Sequence, residues 1–257
     1  MSALAVASIT FVCVFGGALA GMWLRSVASE SHLSEASKDI VKLVTGLMAT
    51  LSALVLGLLI ASAKDSFDSI NTEFKQSASK VILLDRTLSQ YGPDANDVRA
   101  AVRTAYAARI NRLFPQDGRQ INESDALSGG PPLVEGVERR LQALAPSTDA
   151  QRALRSRALQ LTDEIAQARW TTFEQAGTRT PPAFVAVLVF WLAAMFAGFG
   201  LFAPRNRTAM TALVVGALSV ATAILLIEEM NDPLAGVIAI SSEPMRNALA
   251  ILGKREA

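Results

Sequence analysis

Apolar residues follow two patterns along this chain. Four unbroken runs free of Asp, Glu, Lys, Arg and His cover Ala3 to Leu24, Leu43 to Ala63, Ala183 to Ala203 and Thr208 to Ile227. Each is about 20 residues long, which is what an α-helix needs to cross the ~30 Å hydrocarbon layer of a bilayer. Elsewhere the apolar residues recur three or four apart, the period of one helix face. The stretch from Asp39 to Tyr91 joins both patterns. Its apolar part passes into a charged part with no Pro or Gly at the junction, and there Phe67, Ile70, Phe74, Ser77, Val81, Leu84, Leu88 and Tyr91 form a heptad stripe with one polar member. The spacing predicts one continuous helix, roughly 80 Å long at 1.5 Å per residue, that starts in lipid and ends as one stave of a bundle in water.

Punctuation sets the remaining elements. Gly92 is placed to end the long helix in a glycine-favoured conformation, Pro93 cannot continue it, and Asp94 or Asn96 is positioned to cap the next helix, Ala95 to Phe114. That helix carries Arg99, Arg103, Arg109 and Arg112, for which Asp85 and Glu73 on the preceding helix are the expected partners. Pro115 to Pro132 reads as an extended, mobile loop. A short helix follows from Leu133 to Ala145. Ser147, Thr148 or Asp149 then caps a longer one to about Ala176, with Leu154, Leu161 and Ala168 alternating with Ala158, Ile165 and Thr172. Gly177 and Pro181-Pro182 break this helix where Trp170, Phe173 and Arg179 would anchor at the bilayer surface.

The turn Pro204-Arg205-Asn206-Arg207 makes the last two spans a hairpin. Beyond Pro233, Leu234 to Ile240 is apolar but too short to cross, which suggests an interfacial or bundle-packed segment. Ser241 or Ser242 would cap a final helix bearing Met245, Ala248, Leu249 and Leu252, with Gly253 as its stop. The expected class is all-α. Residues 1–63 hold the first two membrane helices, 64–180 a soluble helical insert, 181–230 the third and fourth membrane helices, and 231–257 an interfacial segment and a short amphipathic helix.

Two small-residue features fall in the first run. Ala18-Leu19-Ala20 before Gly21 resembles a signal cleavage site, but no Lys or Arg precedes the run, so a retained helix is expected. Gly17 and Gly21 at GxxxG spacing suit a close contact between two helices of the same chain.

Composition narrows the function. A net charge of +1 over 257 residues, 51% of them apolar, points to the lipid bilayer and away from nucleic acid. The single Cys13 lies inside a span, and the single His32 sits in a polar loop without neighbouring ligands. No cofactor or metal is therefore assigned. No nucleophile elbow, phosphate loop or dinucleotide fingerprint appears, so an enzyme is not expected. Arg25, Arg205 and Arg207 flank the two short loops, which by charge bias would lie in the cytoplasm, with the insert outside.

The residues also resemble a known family. The run Gly57 to Phe67, which includes Lys64 and Phe67, then Leu84-Asp85-Arg86 and Tyr91-Gly92-Pro93, is similar to the signature of a bacterial membrane family labelled bestrophin-like. Asn206, Glu229-Met230, Asp232-Pro233, Gly236, Ser241-Ser242, Pro244, Arg246 and Ala248-Leu249 resemble its closing motif. The resemblance implies a likeness to bestrophins, pentameric anion channels with four spans and a helical soluble part between spans two and three. Their orientation is the reverse of the one the charge bias gives. Glu228, Glu229 and Asp232 form an acidic cluster after the last span, which invites comparison with the bestrophin calcium clasp.

The leading functional expectation is an oligomeric ion channel in a bacterial inner membrane. Small and hydroxyl residues on the second helix, Thr45, Thr50, Ser52 and Ser62, are the candidates to line its pore. A homo-oligomer would be required. The alternative is a membrane-anchored scaffold or sensor whose insert binds a partner. In either case Asp85-Arg86 is read as a structural ion pair at the seam of the bundle.

Overall fold

The structure, a computed structural model, describes residues 2–27, 35–115, 131–177, 182–234 and 236–253. Their regular structure is helical, with no strand among the described residues: α1 (Ala3–Val27), α2 (Glu35–Tyr91), a 3-10 turn (Pro93–Ala95), α3 (Asn96–Leu113), α4 (Pro131–Ala143), α5 (Asp149–Gly177), α6 (Pro182–Phe202), α7 (Arg207–Met230) and α8 (Glu243–Ile251). Four of these, α1, α2, α6 and α7, are long and apolar enough to cross a membrane. Helix α2 runs unbroken through Ala63, as the absence of Pro and Gly at the junction requires.

Packing divides the chain into two compact units. The membrane unit comprises Met1–Asp65 and Arg179–Asp232, and within it α1 packs along α6 and α7. The contact with α6 is made at glycines. A methyl group on Gly17 would strike the backbone of Ala193, one on Gly21 that of Ala197, and one on Gly200 that of Ala18. The GxxxG pair is therefore an intrachain seam, where backbones come close enough for dispersion contacts that lipid tails cannot supply. At one end of the seam Arg25 Nη1 donates to the Ala203 carbonyl at 2.6 Å, and Arg205 Nη2 donates to the Met22 carbonyl at 3.3 Å. Arg25 satisfies a carbonyl just past the C-terminal end of α6, and Arg205 adds a bond near the end of α1, where positive charge also meets the negative end of the dipole. Asn206 caps α7, its side-chain oxygen accepting the Ala209 N–H at 2.7 Å.

The second unit, which holds the insert expected to be soluble and is called the soluble unit for that reason, comprises Ser66–Thr178 and Pro233–Ala257. Its core is built on the heptad stripe of α2: Ile70, Phe74, Val81, Leu84, Leu88 and Tyr91 are buried, Phe67 packs against them, and Ser77 is buried in register. Val98, Val102, Tyr106, Ile110 and Leu113 of α3 face this stripe, and Val137, Leu141, Ala158, Leu161 and Ile165 of α4 and α5 complete the core. Lys80 on α2 and Glu164 on α5 pair at 3.3 Å along the seam.

Several boundaries and caps differ from the sequence reading. The helices outrun their apolar stretches, since α1 reaches Val27 beyond Leu24 and α2 begins at Glu35, ahead of Asp39. Charge is excluded from lipid but not from a helix, so an apolar run underestimates helix length. Neither Asp94 nor Asn96 caps α3. The 3-10 turn feeds the helix directly, the Ala95 N–H donates to the Gly92 carbonyl at 3.1 Å, Ala95 is the N-cap residue and Asn96 is the first helical residue. Of the two readings of Leu234 to Ile240, interfacial or bundle-packed, the packing favours the second, because Leu234, Ile240, Met245, Ala248 and Leu252 are buried in the soluble core. Between them Val237 is 93% exposed. His32, most of the loop Pro115 to Pro132, Arg179 and the side chains of Trp170, Phe173 and Thr172 lie outside the described residues.

Candidate functional site

In the membrane unit, α2 is the span least covered by its own chain. Its inward face carries Thr45, Ser52, Leu59 and Ala63. The remaining circumference is exposed, and Leu43, Leu47, Leu51, Leu54 and Leu58 form a continuous stripe on it. Leu47, Leu54 and Leu58 are 62%, 69% and 66% exposed. The spacing of four, four, three and four residues holds the stripe on one side of the helix.

The four hydroxyl candidates therefore separate. Thr45 is turned inward against Gly198 of α6, where an added methyl would meet its Oγ1 at 2.8 Å. Ser52 is also buried, and its hydroxyl makes no hydrogen bond among the described residues. Both are turned away from the exposed face of α2, and Thr45 borders a groove between α2 and α6. Thr50 and Ser62 are exposed, and the Thr50 hydroxyl donates to the Gly46 carbonyl at 3.1 Å. Lys64 and Asp65 are exposed at the end of the apolar run.

The soluble unit gathers most of the remaining candidates at structural joints. Asp85 pairs with Arg99 of α3 and not with its chain neighbour Arg86. Arg99 Nε donates to Oδ1 at 2.9 Å and Nη2 to Oδ2 at 3.0 Å, with the side chains only 11% and 8% exposed. Consecutive residues on a helix point about 100° apart, so Arg86 faces outward and is exposed. The Asp85 hydrogen bond holds the Arg99 pKa above its ordinary value, with burial opposing it. Asp85 Oδ2 also accepts the backbone N–H of Gly253 at 3.3 Å, so the end of α8 meets the same carboxylate.

At the far end of α2, Gly92 has φ of 114°, a conformation side chains disfavour, and Pro93 opens the 3-10 turn. The Tyr91 carbonyl accepts a hydrogen bond from Gln151 Nε2 at 3.2 Å. Thr148, one of the three expected caps, caps α5: its Oγ1 accepts the Gln151 N–H at 3.1 Å, while Gln151 Oε1 accepts from the Ser147 N–H and hydroxyl at 2.8 Å. In the closing motif, the Ile240 N–H donates to the Pro233 carbonyl at 2.9 Å around Gly236, whose φ is 94°. Ser241 Oγ accepts the Glu243 N–H at 3.1 Å, Pro244 sits in the first turn of α8, and Arg246 Nε donates to Ser242 Oγ at 2.9 Å. Glu229 is half-buried near the end of α7. Glu228 and Glu229 belong to the last turn of α7 and Asp232 follows it; among the described residues no group of three His, Cys, Asp or Glu is placed to hold a metal ion.

Sequence reasoning missed the bond from Gly253 to Asp85 and the reach of Gln151 to Tyr91. Backbone donors and long-range amides leave no periodic trace. It also passed over the Leu stripe of α2, although its spacing is visible in the sequence.

These features define a multi-pass, all-helical membrane protein whose second span continues into a helical soluble unit. A family model for the bestrophin-like domain matches residues 12–245, and the chain belongs to that family. Among solved structures it is similar to single-substitution variants of a bacterial bestrophin homologue from Klebsiella pneumoniae. One is 14% identical, with 99% of each chain covered and a TM-score of 0.69. Another is 13% identical, with 99% of this chain and 100% of that chain covered and a TM-score of 0.66. At such identity the likeness is one of fold. A search of curated proteins gives no match.

Proposed function

We propose that the protein is an oligomeric ion channel of a bacterial cell membrane, with copies of α2 arranged around a central path. Membership of the bestrophin-like family over residues 12–245 carries this reading. The exposed Leu stripe supports it, since a passive pore needs a helix that its own chain leaves uncovered, and α2 is the least covered of the four. On this reading Leu47, Leu54 and Leu58 form an apolar constriction that gates by dewetting, and Thr50, Ser62, Lys64 and Asp65 are the polar groups along and beyond it. Thr45 and Ser52 are withdrawn as lining residues because they are packed inward.

The test combines mass and current. The full chain purified in mild detergent is expected to run as a homo-oligomer and, after reconstitution in planar bilayers, to conduct ions. A monomer without current would end the reading. Recovery of a reproducible foreign partner in place of self-association would favour the scaffold.

A further inference from the structure

The membrane unit contains a groove of about 350 Å3 between α2 and α6, walled by Ala49, Phe199 and Phe202 and deepened by Gly46. Its position is fixed by the spans. Lys42 immediately precedes the apolar run of α2 and Phe202 is the last residue of α6, so the groove opens at the membrane surface and runs into hydrocarbon depth. The groove lies on the flank of α2 turned to α6, away from the Leu stripe, and an apolar slot of this kind at the edge of the bilayer suits an acyl chain. There is open space over Gly46, where a methyl would meet nothing within 4 Å, so a large side chain placed there has room to enter the groove.

The mouth is basic. Lys42 lines it and is exposed, and Arg25 donates to the carbonyl of Ala203, another lining residue. Among the described residues Lys42 pairs with Asp39 at 3.7 Å, and both side chains are largely exposed, so this is a weak, salt-screened pair. An apolar slot with cations at the headgroup level is complementary to one kind of bilayer component.

We propose that this groove binds one phospholipid with an anionic headgroup, its acyl chain along Ala49, Phe199 and Phe202 and its phosphate against Lys42 and Arg25. The full chain, delipidated in detergent and titrated with dioleoyl phosphatidylglycerol or dioleoyl phosphatidylcholine, is followed by native mass spectrometry. The wild type is expected to retain one phosphatidylglycerol per chain with about fivefold preference over phosphatidylcholine. Lys42→Gln should erase most of that preference, and Gly46→Phe, which fills the slot, should lose both lipids. Equal retention of the two lipids by the wild type would overturn the assignment, as would an unchanged preference in Lys42→Gln. Full retention by Gly46→Phe would also overturn it, as would a disulfide between copies formed by Gly46→Cys in a Cys13→Ala background. If Gly46→Phe fails to accumulate, the exposed Lys42→Gln decides alone.

Discussion

At the scale of the residue, the soluble unit depends on two buried polar features with opposite consequences. Asp85 and Arg99 form a bidentate pair excluded from water, and removing one partner leaves the other's charge unpaired. Asp85→Ala should therefore cost roughly 3 kcal/mol, read as a lower midpoint for loss of the native size-exclusion peak on heating. Asp85→Leu combined with Arg99→Met should recover much of that loss. Tyr106 is the contrasting case. Its hydroxyl is buried without a hydrogen-bond partner among the described residues, and burial pushes the phenol up to about 12, with the Arg109 charge pulling the other way. The folded-state pKa lies above the unfolded one, so this contribution is fully present below about pH 10 and is lost as pH rises through about 12. Tyr106→Phe should be neutral or slightly stabilising at pH 7. It should also show a weaker alkaline loss of helicity by circular dichroism than the wild type; an identical alkaline profile would contradict the assignment.

At the scale of the element, membrane and soluble helices differ in how openly they declare their buried faces. In water, a helix marks its inner face with apolar residues, and the α2 stripe from Phe67 to Tyr91 is legible down to the buried Ser77. In lipid both faces are apolar. The inner face is then marked by small and hydroxyl residues, which is why Thr45 and Ser52 read as pore candidates and are found packed. For Asp85 the sequence offers two partners, its neighbour Arg86 and the arginines of α3, and the antiparallel run of α2 and α3 brings Arg99 to it. The α1–α6 seam yields a sharp expectation. Gly21→Val would drive a branched side chain into the Ala197 backbone and should destabilise the protein by about 2 kcal/mol or more. Gly57→Ala, at a position with open space around it, should be tolerated. Thermal midpoints of the two variants in the same detergent make the comparison, and equal midpoints would contradict a close intrachain seam.

At the scale of the whole molecule, the four spans and the helical insert follow from run length and period alone, because a bilayer admits few ways to satisfy a backbone. For the C-terminal segment the sequence leaves two options, interfacial or packed on the bundle. Leu234 and Ile240 are too few to reveal by period whether lipid or protein covers them, and only contacts with the bundle settle it. The functional account turns on which surface of α2 meets a central aqueous path. The most direct test is a Leu54→Cys variant in a Cys13→Ala background, reconstituted and recorded while a membrane-impermeant, charged thiosulfonate is added from either side. The account predicts a current that falls sharply on modification and is restored by reductant. A current unchanged by the reagent, with labelling at that position verified by mass, would place Leu54 away from the path and contradict the account.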